Sequence, residues 1–110
     1  MSFVEHHAVP VRALYGNQEM EQRILAWGGS LMLSEVNFAS GVVLDSHKHP
    51  HEQITYVCEG KIRFTLGEEE KILCQGDSVY IPPEVPHAVE VLEDFRGIDV
   101  FSPVRKDFLE

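Results

Sequence analysis

Three histidines and a glutamine in the middle of the chain have the residue types and the spacing of a metal site. His47 and His49 are separated by one residue, and side chains alternate along an extended segment, so both imidazoles point to the same side of it. Gln53 follows shortly after, and His87 begins a later apolar segment. Imidazole nitrogens and an amide oxygen suit a divalent transition ion such as Ni, Fe, Mn, Zn or Co. The sequence therefore predicts one metal ion inside a β fold.

The ligand that follows the first two histidines is open on spacing alone. Strict alternation would place both His51 and Gln53 on the face of that pair. Pro50 lacks an N–H group, so the strand ladder is expected to break or bulge there. His51 and Gln53 are therefore both candidates. His6 and His7 lie in the N-terminal segment, where we expect mobility rather than ligation.

Short apolar segments between closely spaced turn signals predict an all-β chain. The segments are rich in β-branched and aromatic residues, which favours strands. Turns are predicted at Glu59-Gly60, at Gly97, and at Gly67 with the three glutamates after it. Many short strands with regular turns are typical of an antiparallel sandwich or barrel. We predict strands at residues 24–27, 31–38, 54–58, 62–66, 79–81, 88–92 and 98–101, with short helix-like windows at 18–23 and 105–109.

Composition predicts one domain over residues 1–110, since 110 residues with 44% hydrophobic content can bury a core. The net charge of -9 disfavours binding to nucleic acid or to an anionic membrane. No apolar run approaches the roughly 20 residues of a membrane span, and the N-terminus lacks signal-peptide features, so we expect a cytoplasmic protein. Cys58 and Cys74 form no C-x-x-C pair and are expected to be partly buried thiols.

The segment near residue 99 has two faces, and alternation does not decide which one is buried. Asp99 and Phe101 share one face, while Ile98 and Val100 share the other. Burial of the aliphatic pair would leave Asp99 in water. The opposite choice would place Asp99 inside as an acid–base group with a perturbed pKa.

The two histidine-bearing blocks resemble the two motifs of the cupin superfamily. The first reads G-x5-H-x-H-x3-Q-x6-G over residues 41–60, and the second reads G-x5-P-x-E-x2-H over residues 76–87. The resemblance implies a small antiparallel β-barrel, a jelly roll or double-stranded β-helix, with a metal held by residues of both motifs. Its ligands would be His47, His49, Gln53 and His87, so the resemblance favours Gln53 over His51.

Three positions depart from the cupin motifs. Gln53 stands where a glutamate is usual, Val91 where an asparagine is usual, and Glu84 where a glycine is usual. We expect Glu84 in an exposed turn. Three neutral imidazoles and a neutral amide leave the charge of a divalent ion uncancelled. This favours an anionic ligand and Lewis-acid chemistry over redox cycling with oxygen.

A narrower resemblance joins the string H-K-H-P-H-E-Q at residues 47–53 to Asp99-x-Phe101-x3-Arg105. Together they are similar to the KdgF-type cupins of pectin and alginate breakdown. The resemblance implies a metal-dependent enzyme that converts 4,5-unsaturated monouronates to linear keto-deoxyuronates. Asp99 would then transfer a proton, Phe101 would form a wall of the pocket, and Arg105 would hold the carboxylate of the sugar acid during binding and catalysis.

Two other functions fit the same metal site. One is an iron-dependent dioxygenase or a metal isomerase acting on another small organic acid. The other is a non-catalytic cupin that binds a small molecule. We also expect a homodimer, because pairing edges or packing sheets is a common way for a small sandwich to protect its edge strands.

Overall fold

The computed structural model describes residues 2–110, which form eight antiparallel β-strands and three short 3-10 helices. Among these residues no helix is long and apolar enough to cross a membrane. The 3-10 helices span His6–Ala8, Leu14–Gly16 and Lys106–Leu109. The strands are β1 (Arg12–Ala13), β2 (Met20–Gly28), β3 (Leu31–Phe38), β4 (Val43–His47), β5 (Glu52–Leu66), β6 (Glu69–Cys74), β7 (Ser78–Ile81) and β8 (His87–Ser102).

Two long strands, β5 and β8, run through both layers of the fold. The half of β8 that pairs with β3 and the half of β5 that pairs with β7 lie in the first layer. The strand order of that layer is β1-β2-β3-β8-β5-β7. Their other halves give the order β4-β8-β5-β6 in the second layer. This is the all-β jelly-roll architecture that the sequence predicts. The hydrogen-bonded sheet does not close into a ring, because β1 and β6 stay at its two ends.

The predicted turns inside β5 and β8 were wrong, because both strands bend and continue. β5 has 15 residues and β8 has 16, and each joins two segments that the sequence separates. The register between them shifts over residues 57–62, as a bulge shifts it. Gly60 has a φ of +91°, and a side chain there would clash with the backbone carbonyl of Asp94. Glycine is therefore required at this position, where the two strands approach closely. In a sequence, such a glycine cannot be distinguished from a turn glycine.

The edge strands are the elements that the sequence least reveals. β4 and β6 were not predicted, and β6 contains Glu69 and Glu70, which were assigned to a turn. Charged side chains are common on exposed edges, so they hide the strand signal. The 18–23 window is not helical but largely the start of β2, whereas the window at 105–109 does contain a 3-10 helix. Cys58 and Cys74 are free thiols, and only Cys58 is partly buried.

The apolar core lies between the two layers, on the inward faces of the strands. Phe38 and Phe95 meet there with ring centroids 5.9 Å apart. The core packs around the buried parts of the candidate site residues and keeps that region dry and close-packed. Its other buried members are Leu14, Met20, Met32, Val36, Val42, Val57, Ile62, Phe64, Leu73, Ile81, Val91, Phe101, Val104 and Phe108.

A buried carboxylate with three basic partners lies on the outer face of the first layer. The Glu35 side chain is only 4% exposed, and its carboxylate contacts His6 at 2.8 Å, Arg96 at 3.3 Å and Arg23 at 3.4 Å. Burial alone would raise the pKa of Glu35, but hydrogen bonds and charges from His6 and Arg96 hold that pKa below its usual value. We expected His6 to lie in a mobile N-terminal segment. Instead, His6 contacts the buried carboxylate of Glu35.

Candidate metal centre and the adjoining cavity

The three histidines of the two sequence blocks meet at one end of the space between the layers. His47 ends β4, His87 begins β8, and the two residues are paired in register. His49 follows in the loop before β5. One ring nitrogen from each histidine lies within 4.8 Å of the others. The ring centroid of His87 lies 4.2 Å from that of His47 and 4.9 Å from that of His49.

Each of these rings is oriented by a hydrogen bond to a backbone carbonyl two residues away. In every case Nδ1 lies 2.9 Å from the carbonyl oxygen. A carbonyl oxygen only accepts, so Nδ1 donates, and Nε2 of the neutral ring presents its lone pair. Metal-binding histidines are oriented in this way. The carbonyl oxygens belong to Asp45 for His47, to His51 for His49 and to Val85 for His87.

Burial keeps two of the rings in the neutral form that ligation requires. It lowers the pKa of His87 to about 4, and it also lowers the pKa of His47. Nε2 of His87 is buried and has no hydrogen-bond partner among residues 2–110. An unpaired buried polar atom costs about 1–3 kcal/mol. A cation at this point would satisfy the nitrogen, so the side chains present fit a metal ion.

Gln53 adds an oxygen to the same cluster. Its Oε1 lies 3.0 Å from Nε2 of His49. Because Nδ1 of His49 carries the proton, two lone pairs face each other here, and a cation between them would remove their repulsion. His51 stands apart: its own Nδ1 is buried and unpaired, but it lies outside the group of three nitrogens. The Gln53 oxygen therefore contacts the cluster directly, whereas the His51 ring lies beside His49, with centroids 5.5 Å apart, and brings no nitrogen into the group.

Asp99 faces the interior beside Gln53, which answers the question that alternation left open. Its Oδ1 accepts a hydrogen bond of 2.6 Å from the Thr55 hydroxyl and lies 3.3 Å from Nε2 of Gln53. Nε2 of Gln53 also donates to the Thr55 oxygen at 2.9 Å. Burial raises the pKa of Asp99, and the hydrogen bonds from Thr55 and Gln53 oppose that rise. Phe101 shares the inward face and is buried.

Arg105 lies at the mouth of the cavity and is held on three sides. Its guanidinium carbon is 5.1 Å from the ring centroid of Phe101 and 4.0 Å from that of Phe108. Its Nε and Nη2 donate to the Asp107 carboxylate at 3.1 and 2.7 Å. The Nη1 amino group takes no part in that pair, so the arginine is oriented in advance and keeps donors for a second carboxylate.

One interior cavity connects these groups. Its volume is about 50 Å³, below the roughly 300–1,000 Å³ typical of small-molecule sites, so only part of a substrate would fit inside it. Apolar side chains of the core, among them Phe38, Phe64 and Phe95, form the rest of its lining. The polar residues that line it are Tyr15, Gln22, His47, Gln53, Thr55, His87, Asp99 and Arg105.

Sequence reasoning missed three polar residues of this lining: Tyr15, Gln22 and Thr55. Gln22 falls in the 18–23 window, which the sequence predicted as helix-like and which is largely strand. Thr55 has the same strand parity as Gln53, so the signal that would have found it was present. Tyr15 gave no signal, because it lies in a 3-10 helix of three residues. Its φ of 53° is unusual for an aromatic residue, and it lines both the interior cavity and the outer depression that leads to His49.

Residues 34–101 match the family model described as "Cupin domain". The match includes every member of the histidine cluster as well as Asp99 and Phe101, and it ends before Arg105. Over 92 residues the chain is 38% identical to the pectin degradation protein KdgF of Dickeya dadantii strain 3937. That alignment covers 82% of this chain and 84% of the relative.

Solved structures show the same similarity in three dimensions. An RmlC-like cupin from Shewanella frigidimarina NCIMB 400 superposes with a TM-score of 0.92 at 29% identity, covering 98% of this chain and 96% of the other. KdgF from a Halomonas species superposes with a TM-score of 0.90 at 32% identity, covering 97% and 99%. The likeness therefore extends over nearly the whole described chain, including the segment that carries Arg105.

Proposed function

The chain belongs to the cupin family and is related to KdgF, and from this premise we propose that it is a metal-dependent enzyme converting 4,5-unsaturated monouronates to linear keto-deoxyuronates. The observation that carries the proposal is that Asp99 and Arg105 line the same cavity as His47, His87 and Gln53. A cation site, an acid–base group and an anion-binding group thus lie within reach of one small substrate. The net charge of -9 makes a local anion site necessary for such a substrate.

His47, His49, Gln53 and His87 would hold the metal. The three rings each carry the proton on Nδ1, and the buried Nε2 of His87 has no other partner. When bound, a divalent ion would supply Lewis-acid polarisation of a sugar oxygen. The four neutral ligands would leave its charge available to an anionic substrate.

Arg105 would bind the carboxylate of the sugar acid through Nη1. Asp107 and the Phe108 ring already fix the plane of the guanidinium, so little freedom is lost when the substrate binds. Phe101 would form the wall below the sugar and hold Arg105 in place from the other side. Charge-assisted pairs of this kind orient a planar carboxylate as well as attract it.

Asp99 would move the proton. The conversion is an isomerisation: a proton leaves the hemiacetal hydroxyl, the bond from the anomeric carbon to the ring oxygen opens, and a proton is added at the enol-ether carbon C4. A single carboxylate can accept the first proton and deliver the second. Burial raises the pKa of Asp99, which brings its protonated form closer to neutral pH.

A direct assay follows the ultraviolet absorbance of the conjugated double bond in unsaturated galacturonate or in the equivalent sugar from alginate. The metal-loaded protein should remove this absorbance, and the chelator-treated protein should not. Oxygen consumption with another small acid would instead favour a dioxygenase. Tight binding of the uronate without turnover would favour a binding protein, and either result would contradict the proposal.

A further inference from the structure

Thr55 lies between the two groups on which the proposed chemistry depends. It follows Gln53 by two residues on β5, so both side chains point inward, and it is paired in register with Asp99 of β8. The side chain is buried, with 5% of the residue exposed. The two central strands of the fold therefore bring a hydroxyl, an amide and a carboxylate together without the help of a loop.

While Asp99 is ionised, the hydrogen bonds of Thr55 have only one consistent direction. The hydroxyl has a single proton, and an ionised carboxylate only accepts, so the 2.6 Å contact uses that proton on Asp99. The Thr55 oxygen can then only accept from Gln53 at 2.9 Å. Gln53 must supply this bond from its amino group. Its carbonyl oxygen is consequently turned the other way, toward Nε2 of His49 at 3.0 Å.

We infer that Thr55 is a positioning residue that fixes which end of the Gln53 amide faces the histidine nitrogens. The oxygen end attracts a cation and the amino end repels one, although the two ends have nearly the same shape. The same hydroxyl holds the Asp99 carboxylate at a set distance from Gln53. The Thr55 hydroxyl thus contacts both the proposed metal ligand, Gln53, and the proposed proton-transfer group, Asp99.

This role rests on the metal site of the proposed function but not on the identity of the substrate. Partners that orient a metal ligand typically contribute roughly 10–100-fold to metal affinity. Thr55→Val keeps the shape of the side chain and removes the hydroxyl, whereas Thr55→Ser keeps the hydroxyl. Thr65→Val is a matched control, because Thr65 lies on the same strand but does not line the cavity.

The test measures the affinity of metal-free protein for Zn²⁺ and Co²⁺, together with the visible spectrum of the Co²⁺ form. Thr55→Val should bind about 10–100-fold more weakly and shift the Co²⁺ bands. Thr55→Ser and Thr65→Val should resemble the parent. In a Gln53→Ala background, Thr55→Val should add little further loss, because Thr55 acts through that amide.

Two results would overturn the positioning role: unchanged affinity and spectrum in Thr55→Val, or effects of the Gln53 and Thr55 changes that simply add. The outcome for the proposed function is separate. A parent that turns over uronate, with Thr55→Val unaffected, defeats only the role of Thr55. A parent that binds metal and depends on Thr55 but never converts uronate defeats only the substrate assignment.

Discussion

Two buried polar clusters differ in how their charges are matched, although strand β8 contributes to both. On the outer face, the Glu35 carboxylate has His6, Arg23 and Arg96 around it. On the inner side, three Nε2 lone pairs and the Gln53 oxygen converge, and the buried Nε2 of His87 has no donor. The outer carboxylate has basic partners within the chain, although Nε of Arg23 is itself buried without a hydrogen-bond partner. The inner lone pairs would be matched only by an added cation.

The difference teaches that burial of polar groups does not by itself identify a functional site. Both clusters shift a pKa: that of Glu35 is lowered despite burial, which its cations outweigh, and that of His87 is lowered by burial. What separates them is whether the chain supplies the opposite charge. The Glu35 carboxylate has basic side chains around it, whereas the inner nitrogens and the Gln53 oxygen converge on one point with no cation of the chain between them.

Replacing Asp99 should have the largest effect on turnover. Asp99→Asn keeps the volume of the side chain and removes its acid–base chemistry, so kcat should fall by roughly 10²–10⁴-fold. Metal content should stay near one ion per chain. Asp94→Asn is the matched control on the same strand, where the side chain is exposed. Parent-like activity in Asp99→Asn would make the inner carboxylate as purely structural as Glu35.

Replacement of one arginine beside each cluster compares the two clusters. Arg105 lines the cavity of the inner cluster, and Arg96 contacts Glu35 in the outer cluster. Arg105→Ala should raise KM by about 10–100-fold, since a hydrogen bond to a charged group contributes about 1.5–3 kcal/mol. Arg96→Ala should leave KM unchanged and lower only stability. Steady-state kinetics on both variants measures the split. Equal changes in KM would show that the effect comes from net charge and not from a carboxylate site.

Glu35 should affect stability and its dependence on pH, but not activity. Glu35→Gln should lower the free energy of unfolding by about 1–3 kcal/mol at neutral pH, because His6, Arg23 and Arg96 lose their buried anionic partner. The folded-state pKa of Glu35 is lowered, so its contribution is present above the unfolded pKa of about 4.3 and is lost as pH falls through the folded value.

Urea unfolding of the parent and of Glu35→Gln, measured across pH 2–7, checks this account. The two stability curves should converge at the acid end and separate above the unfolded pKa. A gap that stays constant with pH would mean that the carboxylate charge is not responsible. A large loss of uronate turnover in Glu35→Gln would remove the distinction between the two clusters.

Much of the inner cluster could be predicted from sequence, because its spacing is local. The H-x-H string predicts two rings on one side. The cupin resemblance favours Gln53 over His51 as the next ligand, and this choice stays a prediction, although the Gln53 oxygen does contact the His49 ring. The face of Asp99 could not be predicted, since both faces of its segment carry apolar residues. The structure shows the inward side, because Asp99 pairs with Thr55 across β5 and β8 and both residues line the cavity.

The outer cluster could not be predicted from the sequence because its contacts are long-range. His6 meets Glu35 across 29 residues, and no periodic pattern links them. The all-β class was predictable from the density of turn signals. The continuity of β5 and β8 was not, since Gly60 serves a close approach of two strands and not a turn.

Titration of metal-free protein with Zn²⁺ or Ni²⁺ tests most directly whether the inner cluster is built for a cation. The parent should bind one ion per chain, and His6→Ala should bind it equally well. His87→Ala should lose more affinity than the roughly 10–100-fold typical of a residue that only orients a ligand. Equal binding by the parent, His6→Ala and His87→Ala would contradict the account, as would the absence of stoichiometric binding to the parent.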